Sequence, residues 1–429
     1  MLNNDDFLKQ LGSLCGDIEE LYIEPKYSYG HGLLTTFDRP APLLRSLTIG
    51  RVSMYPDERL PQMFAGSTPK LERLTLRGYV RWPDNAFSDL THLCLHDQFQ
   101  HARPSLAEFL DFLDASPRLE QLVLVDAGPT VWNAQDAEIV GGRVVSLPRL
   151  KCLDIGYWDS VRSVMEFLSH MDISDSAALN VWSRSCTVGS SGNFLKSILP
   201  PDLRRLGPLR SLTTIRVTSR THMQGLPGTR GMGNGDENIH VLSAHNGTLQ
   251  LLGDFNVPEA FPTILDRFDL THMQTLTLSS GEALRLSESQ WKRVLSSVPR
   301  LRTLTVLPAT SSLLLPLLDH SEQASPAAHL LCPELGSITV MDGRESTIPL
   351  LVRLAAQRLR QGRPLQKLCV VGDARSEIAA LDGDAQMQLL GCVTEVEYKE
   401  RVADAVRAES PQWPSAAYIW ARGASQVSV

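Results

Sequence analysis

Twelve short segments of this chain share one pattern, apolar-x-x-apolar-x-apolar, and that recurrence constrains its folding more than any other feature. Their first apolar residues are Ile18, Leu44, Leu71, Leu90, Leu119, Leu150, Leu212, Met273, Leu301, Leu335, Leu365 and Val393, and LRSLTI, LERLTL, LEQLVL and LRTLTV are typical texts. Neighbouring starts lie 19 to 34 residues apart except for two gaps of 62 and 61 residues, each with room for one degenerate unit. Candidate strands there are Ala178–Trp182 in the first gap and Ile239–Leu242 or Leu249–Leu252 in the second. Leucine supplies 66 of the 429 residues and most of the anchors.

Inside each segment apolar and polar residues alternate, the period of a short strand with one buried face. The stretches between carry helix signals. Ser105-Leu106-Ala107-Glu108 is a capping box that opens a stripe of Leu106, Phe109, Leu110 and Leu113, and Ser287-Glu288-Ser289-Gln290 repeats it ahead of Trp291, Val294, Leu295 and Val298. The stretch after Ser160 aligns Val161, Val164, Met165 and Leu168, and the stretch after Ser346 aligns Ile348, Leu351, Val352, Ala355 and Leu359. A proline stands two residues before the first anchor in six segments, at Pro42, Pro69, Pro117, Pro148, Pro299 and Pro333. Proline cannot continue a helix and drives the preceding residue toward extended backbone, so it ends one helix and leads into the next strand. The expected fold class is α/β.

These residues resemble a leucine-rich-repeat solenoid of the long, helix-containing kind, similar to the ribonuclease-inhibitor type, from Ile18 to Lys399. The resemblance implies a horseshoe of about fourteen irregular strand–helix units with parallel strands on a concave face. The Asn or Cys that such repeats carry after the strand is absent; Tyr79, Gln98, Ala127 and Trp158 stand there, which predicts irregular turns. The proline-led style of Ser67–Leu76 and Ser297–Val306 is most similar to the repeat region of fungal F-box proteins. That resemblance implies a substrate receptor in ubiquitination by a cullin-type ligase. Only Met1–Asp17 precede the first segment, shorter than the helical F-box that docks onto the ligase adaptor. The F-box itself is read as not present in this chain, so the adaptor is a partner only if an F-box is supplied elsewhere. Residues 1–17 are read as a partial N-terminal unit or remnant helix.

Charge and composition narrow the partners. With 41 basic against 48 acidic side chains the formal net charge is −7, which gives no general attraction to nucleic-acid phosphates. No run of 18 apolar residues is present to span a bilayer. The polar start Met1-Leu2-Asn3-Asn4-Asp5-Asp6 does not read as a secretory signal, so the expected location is intracellular, in cytoplasm or nucleus. The seven cysteines include no C-x-x-C pair and are read as free thiols. Asn246-Gly247-Thr248 matches a glycosylation sequon and is read as a turn. The glycine-rich His222–Asn238 is read as a flexible loop, and 400–429 as a C-terminal cap helix and tail.

Chemistry finds little purchase. Gly228–Gly235, G-T-R-G-M-G-N-G, is neither a P-loop nor a dinucleotide fingerprint, and no G-x-S-x-G or H-E-x-x-H occurs. No catalytic residue, cofactor or metal is expected. The sharpest constellation is His92, Cys94 and His96, which alternate with Leu93 and Leu95 and so share one strand face at intervals of roughly 6.6–7 Å. A thiolate between two histidines suits zinc. The neighbouring segments offer only Arg73, Thr75, Arg77, Gln121, Val123 and Val125, so the trio is read instead as surface positions of a repeat. The same alternation places Arg73, Arg77, His92, His96 and Arg216 on the outward face, with a hydroxyl-rich region that includes Thr275 and Thr303. Arginine grips carboxylates in a bidentate manner and is enriched at interface hot spots. The expected function is therefore non-enzymatic recognition of a protein partner on that face, with a stand-alone scaffold or regulator as the alternative to a ligase receptor.

Overall fold

The computed structural model describes residues 10, 12–23, 33–50, 60–79, 82, 85–99, 103–130, 140–156, 161–184, 194–218, 239–252, 257–279, 286–307, 311–318, 330–341, 348–372 and 383–400. The fold is mixed α/β. The chain divides into two compact units, one mainly residues 1–188 and the other mainly 208–411. The first unit contains β1 (Glu20–Ile23), β2 (Ser46–Ile49), β3 (Arg73–Arg77), β4 (His92–His96), β5 (Gln121–Val125), β6 (Val145–Leu147), β7 (Cys152–Gly156), β8 (Met171–Ile173) and β9 (Ala178–Arg184). Seven of these pair in parallel in the order β1-β2-β3-β4-β5-β7-β9, while β6 and β8 form a separate parallel ladder.

The second unit contains β10 (Thr214–Thr218), β11 (Ile239–His245), β12 (Thr248–Leu252), β13 (Thr275–Ser279), β14 (Thr303–Leu307), β15 (Ser337–Met341), β16 (Leu365–Gly372) and β17 (Val393–Glu400). They pair in the order β11-β12-β10-β13-β14-β15-β16-β17, and neither unit closes its sheet into a barrel. Every one of the twelve sequence segments contributes a strand.

One contact repeats at nearly every step. The strand-entry carbonyl of one segment accepts two N–H groups from the next: Glu19 O from Arg45 and Ser46, Arg45 O from Glu72 and Arg73, Glu72 O from Thr91 and His92, Thr91 O from Glu120 and Gln121. Gln274 O and Arg302 O do the same for β14 and β15. The prolines set the approach. Each occupies the second position of a turn closed by the following anchor, as in Leu71 N–H to Thr68 O (3.1 Å) and Leu119 N–H to Ser116 O (3.1 Å), where the ring's fixed φ is already correct. Behind the strands the inward side chains stack in register, Leu47-Leu74-Leu93-Leu122-Leu153-Leu179, all without exposure. Each such leucine contributes about 1.5–3 kcal/mol of burial.

The described helices are α1 (Leu106–Asp114), α2 (Val161–Ser169), α3 (Phe194–Ile198), α4 (Val257–Arg267), α5 (Glu288–Ser296), α6 (Ser311–Leu317), α7 (Ile348–Arg360) and α8 (Gly383–Cys392). Both sequence capping boxes form, with Ser105 and Glu108 on α1 and Ser287 and Gln290 on α5. On α7 the buried stripe differs from the expected one: Leu354 and Arg358 are inside, whereas Leu359 is 44 % exposed. Helical spacing from Leu351 and Leu354 reaches position 358 rather than 359. Arg358 is tolerated there because its guanidinium donates to Cys332 O (3.2 Å) and Leu335 O (2.9 Å), the two ends of the turn around Pro333.

Two expectations need correction. The turns after β3, β4 and β5 begin alike and not irregularly, each with a left-handed residue, Gly78, Asp97 and Asp126, while Trp158 lies outside the described residues. Their N–H groups bond to His96 O, Val125 O and Gly156 O in succession. At one of these turns the amide of Gln98 does what an asparagine would, donating from Nε2 to Tyr79 O (2.6 Å) and accepting on Oε1 from Gly128 N–H (3.0 Å). The second correction concerns the second gap, where both candidate strands form, as β11 and β12, but among the described residues they make a hairpin and not a single forward unit. Asn246 and Gly247, with φ of 49° and 71°, make a tight hairpin between β11 and β12. The hairpin folds back so that β12 pairs with β10, and Gly247 O accepts from Thr213 and Thr214 as a preceding segment's carbonyl would. The sequon is thus a turn. The loop expected at 222–238 and the cap and tail beyond Glu400 lie outside the described residues.

Gln98→Ala removes both hydrogen bonds of this amide from a buried turn, so it is expected to cost about 2 kcal/mol in urea unfolding. A loss below about 0.5 kcal/mol would show that the amide link is dispensable.

Candidate functional site

The outward positions fall into registered rows. In the first unit one row runs Glu20, Ser46, Arg73, His92, Gln121, Cys152, and the next runs Tyr22, Thr48, Thr75, Cys94, Val123, Asp154, Asn180. From Thr48 to Asn180 the second row is closed to solvent, with Thr48 at 8 % exposure and Cys94 at 0 %, while Tyr22 at its end is only partly buried. His96 is likewise buried, so among the expected partner-binding residues it is not presented at the surface. Gly156 is registered with Trp182, whose indole would stand 2.0 Å from a Cβ at that position, so a side chain there would clash.

Several exposed charges of this unit already have partners. Arg73 is ion-paired with Glu20, and Arg77 Nε donates to Asp97 Oδ2 (2.7 Å). Lys151 and Glu120 pair at 2.6 Å, and Arg45 reaches Glu72 at 3.8 Å. Exposed pairs of this kind contribute roughly 0–1 kcal/mol each, so exchanging one for a partner's charge costs little. His92 is half-buried and shares a 2.7 Å hydrogen bond between its Nδ1 and the Thr91 hydroxyl; burial lowers its pKa.

Under these charges lies a buried polar cluster. Cys94 Sγ and His96 Nε2 are 2.7 Å apart; Asn180 Nδ2 donates to Asp154 Oδ1 (2.7 Å), and Cys152 Sγ donates to Asp154 Oδ2 (3.3 Å). Burial pushes the His96 ring down to about 4 and the Cys94 thiol well above its ordinary value. The pair is therefore a neutral thiol beside a neutral imidazole, the reverse of the thiolate–imidazolium arrangement that nucleophilic cysteines use. Burial raises Asp154 to about 6, against the lowering effect of the Asn180 and Cys152 hydrogen bonds. Among the described residues no group of three or more His, Cys, Asp or Glu is placed to hold a metal ion. No described helix is long and apolar enough to cross a membrane.

The second unit presents a different face. Thr214, Thr275, Thr303 and Ser337 form one registered row, and Arg216, Thr277, Thr305 and Thr339 the next, all half-exposed. Thr275 and Thr303 are direct neighbours, and Arg216 lies between Gln250 and Thr277. No ion pair joins Arg216 among the described residues. Sequence alternation located every one of these positions; what it did not reveal is the burial of His96 and Asp154, or Asn180 as the partner of Asp154. The only available signal was a carboxylate set between Leu153 and Ile155 in an otherwise apolar core.

Compared with known proteins, the chain matches no family model and no curated protein.

The Asp154 carboxyl holds its proton more tightly folded than unfolded, so its favourable contribution is present below the ordinary 3.8 and is lost as pH rises through about 6. His96 acts in the opposite sense, since stability is lost as pH falls from 6.5 toward about 4. Asp154→Asn keeps the acceptor for Asn180 and removes the buried charge. It is expected to raise stability by about 2 kcal/mol at neutral pH and to give no gain near pH 4. Destabilisation at neutral pH, or an equal effect at both, would contradict the buried-carboxylate account.

Proposed function

We propose that this chain is a non-enzymatic protein-recognition module of the leucine-rich-repeat solenoid kind, which takes a protein partner on its outward sheet face. The observation that carries this reading is the pair of registered, half-exposed rows on β10, β13, β14 and β15, with Thr275 and Thr303 at their centre and Arg216 at one end. Backbone pairing fixes these side chains in position, so little conformational freedom is lost when a partner docks. Uncharged hydroxyls offer donors and acceptors to a polypeptide without the desolvation cost of unpaired charges. Arg216 adds a donor suited to a partner carboxylate. In the first unit Arg73, Arg77 and His92 stand on that unit's own outward face, with charges that can exchange partners.

The resemblance to fungal F-box repeats makes this module the substrate-receptor part of a cullin-type ubiquitin ligase, joined to the adaptor through an F-box supplied elsewhere. The reading includes an intracellular location and no enzymatic activity.

The test is affinity purification of the tagged chain from its native cells beside the double variant Thr275→Arg, Thr303→Arg. The variant is expected to lose the co-purifying proteins at least about tenfold, as central interface truncations and clashes do, while its thermal midpoint stays unchanged. Full retention would overturn the assignment of this face. Recovery of adaptor and cullin with the wild type supports the ligase reading, and recovery of other proteins without them makes the module a stand-alone regulator.

A further inference from the structure

The β11–β12 hairpin brings together side chains that a forward unit would not. Because β12 is folded back beside β10, Gln250 stands in register with Arg216, and Thr277 of β13 flanks Arg216 on its other side. Neighbouring strands lie about 4.7–4.9 Å apart, so the three side chains start one strand spacing from each other. Gln250 is 8 % exposed, and its Nε2 has no hydrogen-bond partner. A buried amide nitrogen carries two donors, and such donors are nearly always satisfied. Arg216, half-exposed beside it, is pinned by no ion pair among the described residues, and the half-exposed Thr277 adds a hydroxyl.

What this group lacks is an acceptor. None of the six strands β10 to β15 contains an aspartate or glutamate, and Arg216 is their only lysine or arginine. One positive charge among neutral donors balances a singly charged carboxylate, whereas a phosphate dianion would keep an uncompensated charge. A planar guanidinium also matches a carboxylate through two parallel N–H groups. We propose that Arg216 and Gln250 form a binding site for a carboxylate of the partner polypeptide, gripped by the guanidinium and given a further hydrogen bond by the Gln250 amide. The Gln250 nitrogen is closed to water, so the carboxylate reaches it as Arg216 swings aside to meet the incoming charge. The site rests on the partner-recognition reading of this face and narrows it to partners that present an acidic group.

Solution NMR on the full chain tests it by following the Gln250 side-chain amide and the Arg216 Nε–H, whose signals are identified by their loss in Gln250→Met and Arg216→Gln. The probes are N-acetylglutamate α-amide, which presents only a side-chain carboxylate, N-acetylglycine, which presents only a chain-terminal one, and inorganic phosphate. At least one carboxylate probe is expected to move both signals saturably, with a dissociation constant on the order of 1–10 mM. The tighter of the two shows whether an acidic side chain or a chain end is the occupant. Arg216→Gln is expected to weaken that binding at least about tenfold, and Gln250→Met at least about threefold. Gln250→Met also removes an unpaired buried donor, so its thermal midpoint is expected at or above that of the wild type. A lower midpoint would assign the amide a bond within the chain and overturn the site. Absence of a saturable shift, phosphate binding as tight as either carboxylate, or undiminished binding by Arg216→Gln overturns it equally. If no carboxylate binds while Thr275→Arg, Thr303→Arg still loses its partners, this site falls and the face stands; retention of partners by that double variant overturns the face instead.

Discussion

The structure depends on one carbonyl per segment accepting two amides from the next. That bifurcated link, from Glu19, Arg45, Glu72, Thr91 and Glu120 in the first unit and from Gln274 and Arg302 in the second, fixes the distance and register between successive strands. Once register is fixed, the apolar anchors must stack, because a one-residue slip would carry every leucine to the other face. The proline turns serve the same end by delivering each chain segment to its strand at a constant angle. Gly247 illustrates how strict the requirement is: where no preceding repeat supplies the carbonyl, a hairpin is folded back to supply it.

A fixed register has consequences on the outward face. Backbone pairing sets where each outward side chain begins, and in the first unit ion pairs and hydrogen bonds among those side chains complete the surface. The first unit buries a polar cluster around Asp154 beneath paired surface charges, and the second lays out hydroxyls. Cys94 and His96, both kept neutral by burial, make the cluster a structural feature of the row rather than a reactive one.

Most of the strand architecture was legible in the sequence because a period-2 pattern anchored by leucine has only one physical solution. Capping boxes at Ser105 and Ser287 located two helices for the same reason: a reciprocal hydrogen bond between fixed positions leaves a textual mark. What was not legible depended on partners distant in sequence. Gln98 is an ordinary loop residue until Tyr79 and Gly128 come within reach of its amide. Arg358 reads as solvent-facing until three carbonyls around Pro333 surround it. The reversal of β11 and β12 was hidden because either strand alone satisfied the repeat pattern, and only the paired positive φ values at Asn246 and Gly247 turn them into a hairpin. Alternation puts His96 and Asp154 on the outward rows, but it carries no information about how closely adjacent rows crowd together.

Amide hydrogen exchange on the native chain tests the central claim most directly. The account predicts slow exchange at the donor pairs that share one carbonyl, among them Arg45 with Ser46, Glu72 with Arg73, Gln274 with Thr275 and Arg302 with Thr303, and the same protection at Thr213 and Thr214 opposite the hairpin. Exchange at these amides as fast as in an unstructured peptide, while the apolar strand interiors remain protected, would contradict it.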